Sequence, residues 1–159
     1  MKITVACVGK IKEKFYTMAI DEYTKRLSAY ANIEIMQVED EKAPENLSPA
    51  QEEQIRSREA VRLLKGIKEN SYVITLEIGG KQLDSVELSR FIDDTLSRGN
   101  SHLTFVIGGS LGLGREVRER ADFRLSFSKM TFPHQLMRVI LLEQLYRSQR
   151  ISHNQPYHK

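Results

Sequence analysis

The sequence predicts an α/β domain, a mostly parallel sheet with helices on both faces. Short β-rich runs alternate with segments of helical period along the whole chain, the order that a parallel sheet with crossover helices requires. The length of 159 residues matches the roughly 150 expected of one domain. No repeat, low-complexity tract or linker-like stretch divides it, so residues 1–159 read as a single domain.

The elements follow in order. KITVACV (Lys2–Val8) is a β-rich run ending at Gly9, and Phe15, Met18, Ala19, Tyr23, Leu27 and Tyr30 recur at helical spacing over about 14–30. IEIMQV (Ile33–Val38) is a second strand, followed by an acidic, proline-containing loop. Ser48 then caps a helix, with Pro49 at its first position and Gln51 completing a capping box; it runs to about Lys68 and carries the mixed charges of a solvated face. YVITLEI (Tyr72–Ile78) is the third strand, and Gly79-Gly80 reads as the loop after it. Asp84 or Ser85 caps a helix that Gly99 ends. LTFVIG (Leu103–Gly108), a short charged helix over about 114–120, and FRLSF (Phe123–Phe127) come next. A last helix spans about 133–149, and ISHNQPYHK is a polar tail.

The last helix is apolar around nearly its whole circumference, through Leu136, Met137, Val139, Ile140, Leu141, Leu142, Leu145 and Tyr146. A helix apolar all round is buried all round, so a second copy packed about a two-fold axis is expected on its outer face.

Charge is unevenly placed. Residues 1–100 hold 15 Lys+Arg against 17 Asp+Glu, whereas residues 101–159 hold 9 against 4, and a basic C-terminal third suggests a polyanionic partner. No segment approaches the roughly 18 apolar residues of a membrane helix, and the apolar run near the start is too short for a signal peptide. Cys7 is the single cysteine and sits in an apolar strand pattern, so it reads as a small core residue in a reducing, cytoplasmic protein.

IGGSLGLG holds four glycines within residues 108–114. It lacks the lysine of a P-loop, and Val117 stands where a dinucleotide fingerprint needs its third glycine. What remains is a tight turn, or a loop whose backbone approaches a flat ligand, with Leu111 and Leu113 suited to an adenine face. Ligands of open parallel sheets bind outside the carboxyl ends of the strands. Loops near Leu76, at Gly108–Gly114 and at Phe127–Phe132 are therefore expected to converge on a small-molecule pocket.

Four stretches carry a family resemblance: MKITVACVGK, IGGSLG, FSKMTFPHQLMRVILLEQLYRSQRI and the terminal PYHK. Together they resemble the RlmH family of SPOUT (α/β-knot) methyltransferases over the whole chain, with Phe127 where leucine is expected and Ser148 where alanine is expected. The resemblance implies S-adenosylmethionine as methyl donor, N3 of pseudouridine 1915 in 23S ribosomal RNA as target, a homodimer and a C-terminal deep trefoil knot. It also implies that Leu76, Gly108, Phe127, Ser128, Lys129, Met130, Thr131 and Phe132 line the cofactor pocket. No metal is expected.

Methyl transfer from a sulfonium needs alignment more than covalent groups, and orientation can supply about 7–11 kcal/mol. Arg138 interrupts an apolar run and must find a partner or a ligand, so it and His158 are the expected catalytic residues. Arg147 and Arg150 along the last helix, with His153, Tyr157 and Lys159 in the tail, are expected on RNA. In a dimer the tail reaches the partner's pocket. His134 reads as a local hydrogen-bonding group. Competing readings are a non-catalytic nucleotide- or RNA-binding dimeric module, a nucleotide-dependent oxidoreductase and a purely structural dimer.

Overall fold

The computed structural model describes residues 1–159. Its elements are β1 (Lys2–Val8), α1 (Lys14–Leu27), β2 (Asn32–Val38), α2 (Pro49–Gly66), β3 (Tyr72–Gln82), α3 (Ser85–Ser97), β4 (His102–Ile107), α4 (Arg115–Arg120), β5 (Phe123–Ser126) and α5 (His134–Ser152). The strands form one sheet in the order β2-β1-β4-β3-β5, and every pairing is parallel.

Alternation along each strand sorts side chains to two faces, because successive Cβ atoms point to opposite sides. Ile3, Val5 and Cys7 of β1 and Leu103, Phe105 and Ile107 of β4 join the core under α1, α3 and α5. Ala6, Val8 and Val106 join a second core with Ala60 and Leu63 of α2 and Val117 of α4. Helices thus cover both faces. The caps act as their residue types predict: Ser48 with Gln51 and Asp84 with Glu87 form capping boxes, and Gly99, just past α3, takes φ +93°.

Two expectations need correction. The Gly79-Gly80 pair is not a loop: β3 continues through it to Gln82, with a register shift against β5 between Leu76 and Lys81. A Cβ on Gly80 would stand 2.8 Å from the Arg124 carbonyl carbon, so glycine is what lets β5 lie alongside the irregular part of β3. Gly80→Ala is expected to lower the unfolding free energy by about 1–3 kcal/mol, read by denaturant titration. The first helix stops at Leu27, and the last runs on to Ser152. Helix α5 lies between α1 and α3 against the sheet, with Leu141, Leu142 and Leu145 fully buried. Leu136, Met137, Val139, Ile140 and Tyr146 on the same helix remain partly exposed.

Candidate active site

The carboxyl ends of β3, β4 and β5 open onto one cleft of about 1090 Å³. Its walls come from the three expected segments: Leu76–Gly79 in β3, Ile107–Leu113 after β4, and the stretch from Phe127 to Met137, Lys129 excepted among the expected positions. The glycines after β4 serve internal fit. Gly112 takes φ +85° and its N–H donates to the Gly109 carbonyl at 3.0 Å. A Cβ on Gly108 would stand 2.7 Å from the Gly112 carbonyl carbon, and one on Gly114 would stand 2.6 Å from the Arg56 carbonyl oxygen. The loop is therefore a turn folded closely on itself and seated on α2. Its outer amides remain open, since the N–H groups of Ser110 and Leu111 have no acceptor within the chain, nor has that of Thr131 across the cleft.

Leu76, Gly108, Phe127, Ser128, Met130, Thr131 and Phe132 all line the cleft. Lys129 does not. The Met130 N–H donates to Ser128 Oγ at 2.9 Å, closing a turn that leaves Lys129 exposed at its apex. Several further wall residues carry no signal in the sequence. Glu53 and Arg56 of α2, Glu77 of β3, Arg118 of α4 and Arg124 of β5 form a charged rim around the apolar Leu76, Ile107, Leu111 and Met137. The charges of α2 carry no signal beyond a solvated face; only the seating of the glycine loop on that helix brings them to the cleft. His134 also lines the wall, and burial, reinforced by the Arg138 cation, holds its pKa below the usual imidazole value.

Arg138, expected as catalytic, does not line this wall. It is 1% exposed, and its Nη2 donates to the carbonyls of Val8 and Gly9, each at 2.8 Å. It ties the end of β1 to the second turn of α5, while Nε and Nη1 have no partner. Burial pushes its pKa down. Nearby Cys7 is fully buried, its thiol pushed up to about 11 by burial against the opposing pull of Arg138. It is thus a core thiol, expected to resist alkylation at neutral pH until the protein unfolds, as mass spectrometry would show.

The tail folds back against α5, and no tail residue lines the chain's own cleft. Arg147 pairs with Glu143 and approaches His158 Nδ1 at 3.2 Å, its guanidinium 4.7 Å above the Tyr157 ring. Tyr157 donates to Glu143 Oε1 at 3.0 Å. Arg150 donates to Tyr30 Oη at 3.2 Å, Gln155 Oε1 at 2.9 Å and the Pro156 carbonyl at 2.9 Å. Arg147 and Arg150, expected on RNA phosphates, are thus engaged internally, the first beside His158 and the second in pinning the tail to Tyr30, just past α1. His153 lies against the Tyr30 ring with Nδ1 2.8 Å from the Gln149 carbonyl, and Lys159 is exposed. Burial, then the bond to Glu143, pushes Tyr157 up to about 12. A raised folded pKa contributes stability that is present below the unfolded value of roughly 10 and lost as pH climbs through the folded one. Tyrosinate absorbance should therefore show Tyr157 anchored through pH 10 and released near 12.

A parallel sheet whose strand ends gather three loops around an apolar, charge-rimmed cleft defines a class of small-molecule-using α/β enzyme. The chain belongs to the SPOUT methyltransferases: the family model described as "Predicted SPOUT methyltransferase" matches residues 1–158. Its relatives are similar from end to end. A Clostridioides difficile (strain 630) protein named ribosomal RNA large subunit methyltransferase H is 58% identical over 159 residues, covering 100% of both chains. A Clostridium novyi (strain NT) protein of the same name is 54% identical, and a Methanococcus maripaludis (strain C5 / ATCC BAA-1333) protein with that name marked putative is 56% identical, each again covering 100% of both chains. Among solved structures, a probable methylase family protein from Haemophilus influenzae Rd KW20 aligns with TM-score 0.50 at 11% identity, over 99% of this chain and 70% of that one, which shows the fold alone. The family match speaks against the oxidoreductase and non-catalytic readings. No helix is long and apolar enough to cross a membrane.

Proposed function

We propose that the chain is an S-adenosylmethionine-dependent methyltransferase of large-subunit ribosomal RNA, acting in the cytoplasm on N3 of pseudouridine 1915 as a homodimer with a knotted C-terminal segment. The observation that carries this reading is the cleft walled by Leu76, Gly108 and the Phe127–Phe132 segment, in a chain whose full-length relatives bear the name of such an enzyme.

The cleft suits the cofactor. Leu76, Ile107, Leu111 and Met137 offer apolar faces to an adenine, and the open amides of Ser110, Leu111 and Thr131 offer donors. When bound, the cofactor supplies an electrophilic methyl group on a sulfonium.

The chain's own part is to hold and align. The Arg147 guanidinium, which can only donate, faces His158 Nδ1. That contact makes Nδ1 the acceptor and leaves the proton on Nε2, directed away from Arg147. His158 is then a donor to a base carbonyl, an orienting role. Since the tail does not enter its own cleft, the site is completed by the tail of a second subunit. Phe15 and Met18, 64% and 69% exposed on α1 beside α5, supply apolar surface for that pairing.

Calorimetry is expected to show binding of S-adenosylmethionine and none of NAD. Mass spectrometry of 23S ribosomal RNA from a strain lacking the gene is expected to show loss of one methyl group at the target base; a retained mark would overturn the reading.

A further inference from the structure

We propose that Arg118 and Arg124 form a phosphate-docking site that holds the RNA strand across the mouth of the cleft; this rests on the ribosomal RNA reading above. Both side chains line the cleft, and they come from α4 and β5 rather than from the tail residues expected on RNA.

Their charge is left open. Arg118 is exposed, and its guanidinium makes no hydrogen bond or ion pair within the chain. Arg124 reaches the Arg118 carbonyl at 3.4 Å, which sets the two side chains on neighbouring ground. Its only carboxylate partner is Glu77, at 3.6 Å, and its side chain is 54% exposed. Glu77 is itself largely buried, at 15% exposure, and already accepts a hydrogen bond from Thr75 Oγ1 at 2.6 Å.

Neighbouring arginines are closed off at shorter range. Arg115 meets Glu119 at 2.7 Å, Arg120 meets Asp122 at 3.1 Å and Arg56 meets Glu53 at 2.8 Å. Among the arginines lining the cleft, Arg118 has no partner and Arg124 only the long contact to Glu77.

The chemistry fits a phosphodiester. Guanidinium groups bind phosphate oxygens through paired N–H donors, and exposed forks can do so without desolvating a buried charge. A chain of net charge +3 has little general attraction for RNA, so its cations matter where the strand passes. Phosphate contacts position a strand without reading its sequence, which suits a site beside the one where the base itself is held.

The test is steady-state methylation of unmodified ribosomes and of 23S ribosomal RNA by an Arg118→Gln/Arg124→Gln double variant. Both positions are exposed, and thermal unfolding checks the fold. The expected result is a tenfold or greater rise in KM for the RNA substrate, with S-adenosylmethionine affinity held within twofold. The slope of log affinity against log salt should become shallower by about 1 for each arginine removed. An Arg118→Lys/Arg124→Lys variant, which keeps the charge, should recover the slope. Unchanged RNA KM and slope would overturn the proposal. So would a loss confined to cofactor affinity, which would assign the pair to the cofactor's carboxylate. Failure of the unaltered enzyme to methylate the RNA would instead overturn the underlying functional reading.

Discussion

Gly108→Ala is expected to lower S-adenosylmethionine affinity and methyl-transfer rate by about a hundredfold or more. The added carbon would stand 2.7 Å from the Gly112 carbonyl carbon, 2.9 Å from its oxygen and 3.0 Å from the Leu113 nitrogen. These are main-chain atoms of the same turn, so no side chain can rotate away to make room. The turn would have to open, and misplacing binding groups by about 1 Å can cost a hundredfold in rate. Unfolding should change far less, by about 1–3 kcal/mol, because the loop lies at the edge of the core. Calorimetry, single-turnover rates and denaturant titration separate these effects. Gly79→Ala is the control: its added carbon meets nothing within 4 Å, so stability should hold. A Gly108→Ala enzyme with ordinary cofactor affinity would show that the loop does not shape the cleft.

Arg138→Ala is expected to give the largest loss of stability, about 3–5 kcal/mol, by leaving a cavity and depriving the buried Val8 and Gly9 carbonyls of their shared donor. Arg138→Met keeps most of the volume and removes the two unpartnered nitrogens, so it should lose less. Both should also loosen the Phe127–Pro133 segment, which hangs between β5 and the clamped start of α5. Weakened cofactor binding in the folded fraction of Arg138→Met would report that loosening. If Arg138→Met matched the parent in both stability and cofactor binding, the clamp would have no role.

How far the residues announce this arrangement depends on the distance over which each signal acts. Local chemistry reads directly: Ser48 and Asp84 cap their helices with Gln51 and Glu87, and Gly99 ends α3. The alternation of β-rich runs with helical segments predicts a parallel sheet covered on both faces. Gly79-Gly80 misleads because a glycine pair reads as a turn, whereas Gly80 here admits the backbone of β5. Arg138 signals that a buried cation needs a partner, but that partner is a pair of carbonyls about 130 residues back along the chain, and carbonyls leave no mark in a side-chain pattern. The cleft walls at Leu76, Gly108 and Phe127–Phe132 come with the family resemblance. The arginines of the rim do not, because α2, α4 and β5 meet only once the chain has folded.

The strand order bears on how the molecule is made. Lys2 of β1 pairs with His102 of β4, so the middle of the sheet stays open until about two-thirds of the polypeptide has been synthesised. Such distant pairing slows folding, because the intervening chain must be closed before the contact rewards it. The clamp from α5 onto β1 comes later still. A product cut short anywhere before Arg138 would lack it, and would be cleared or aggregate rather than persist as a weakened enzyme.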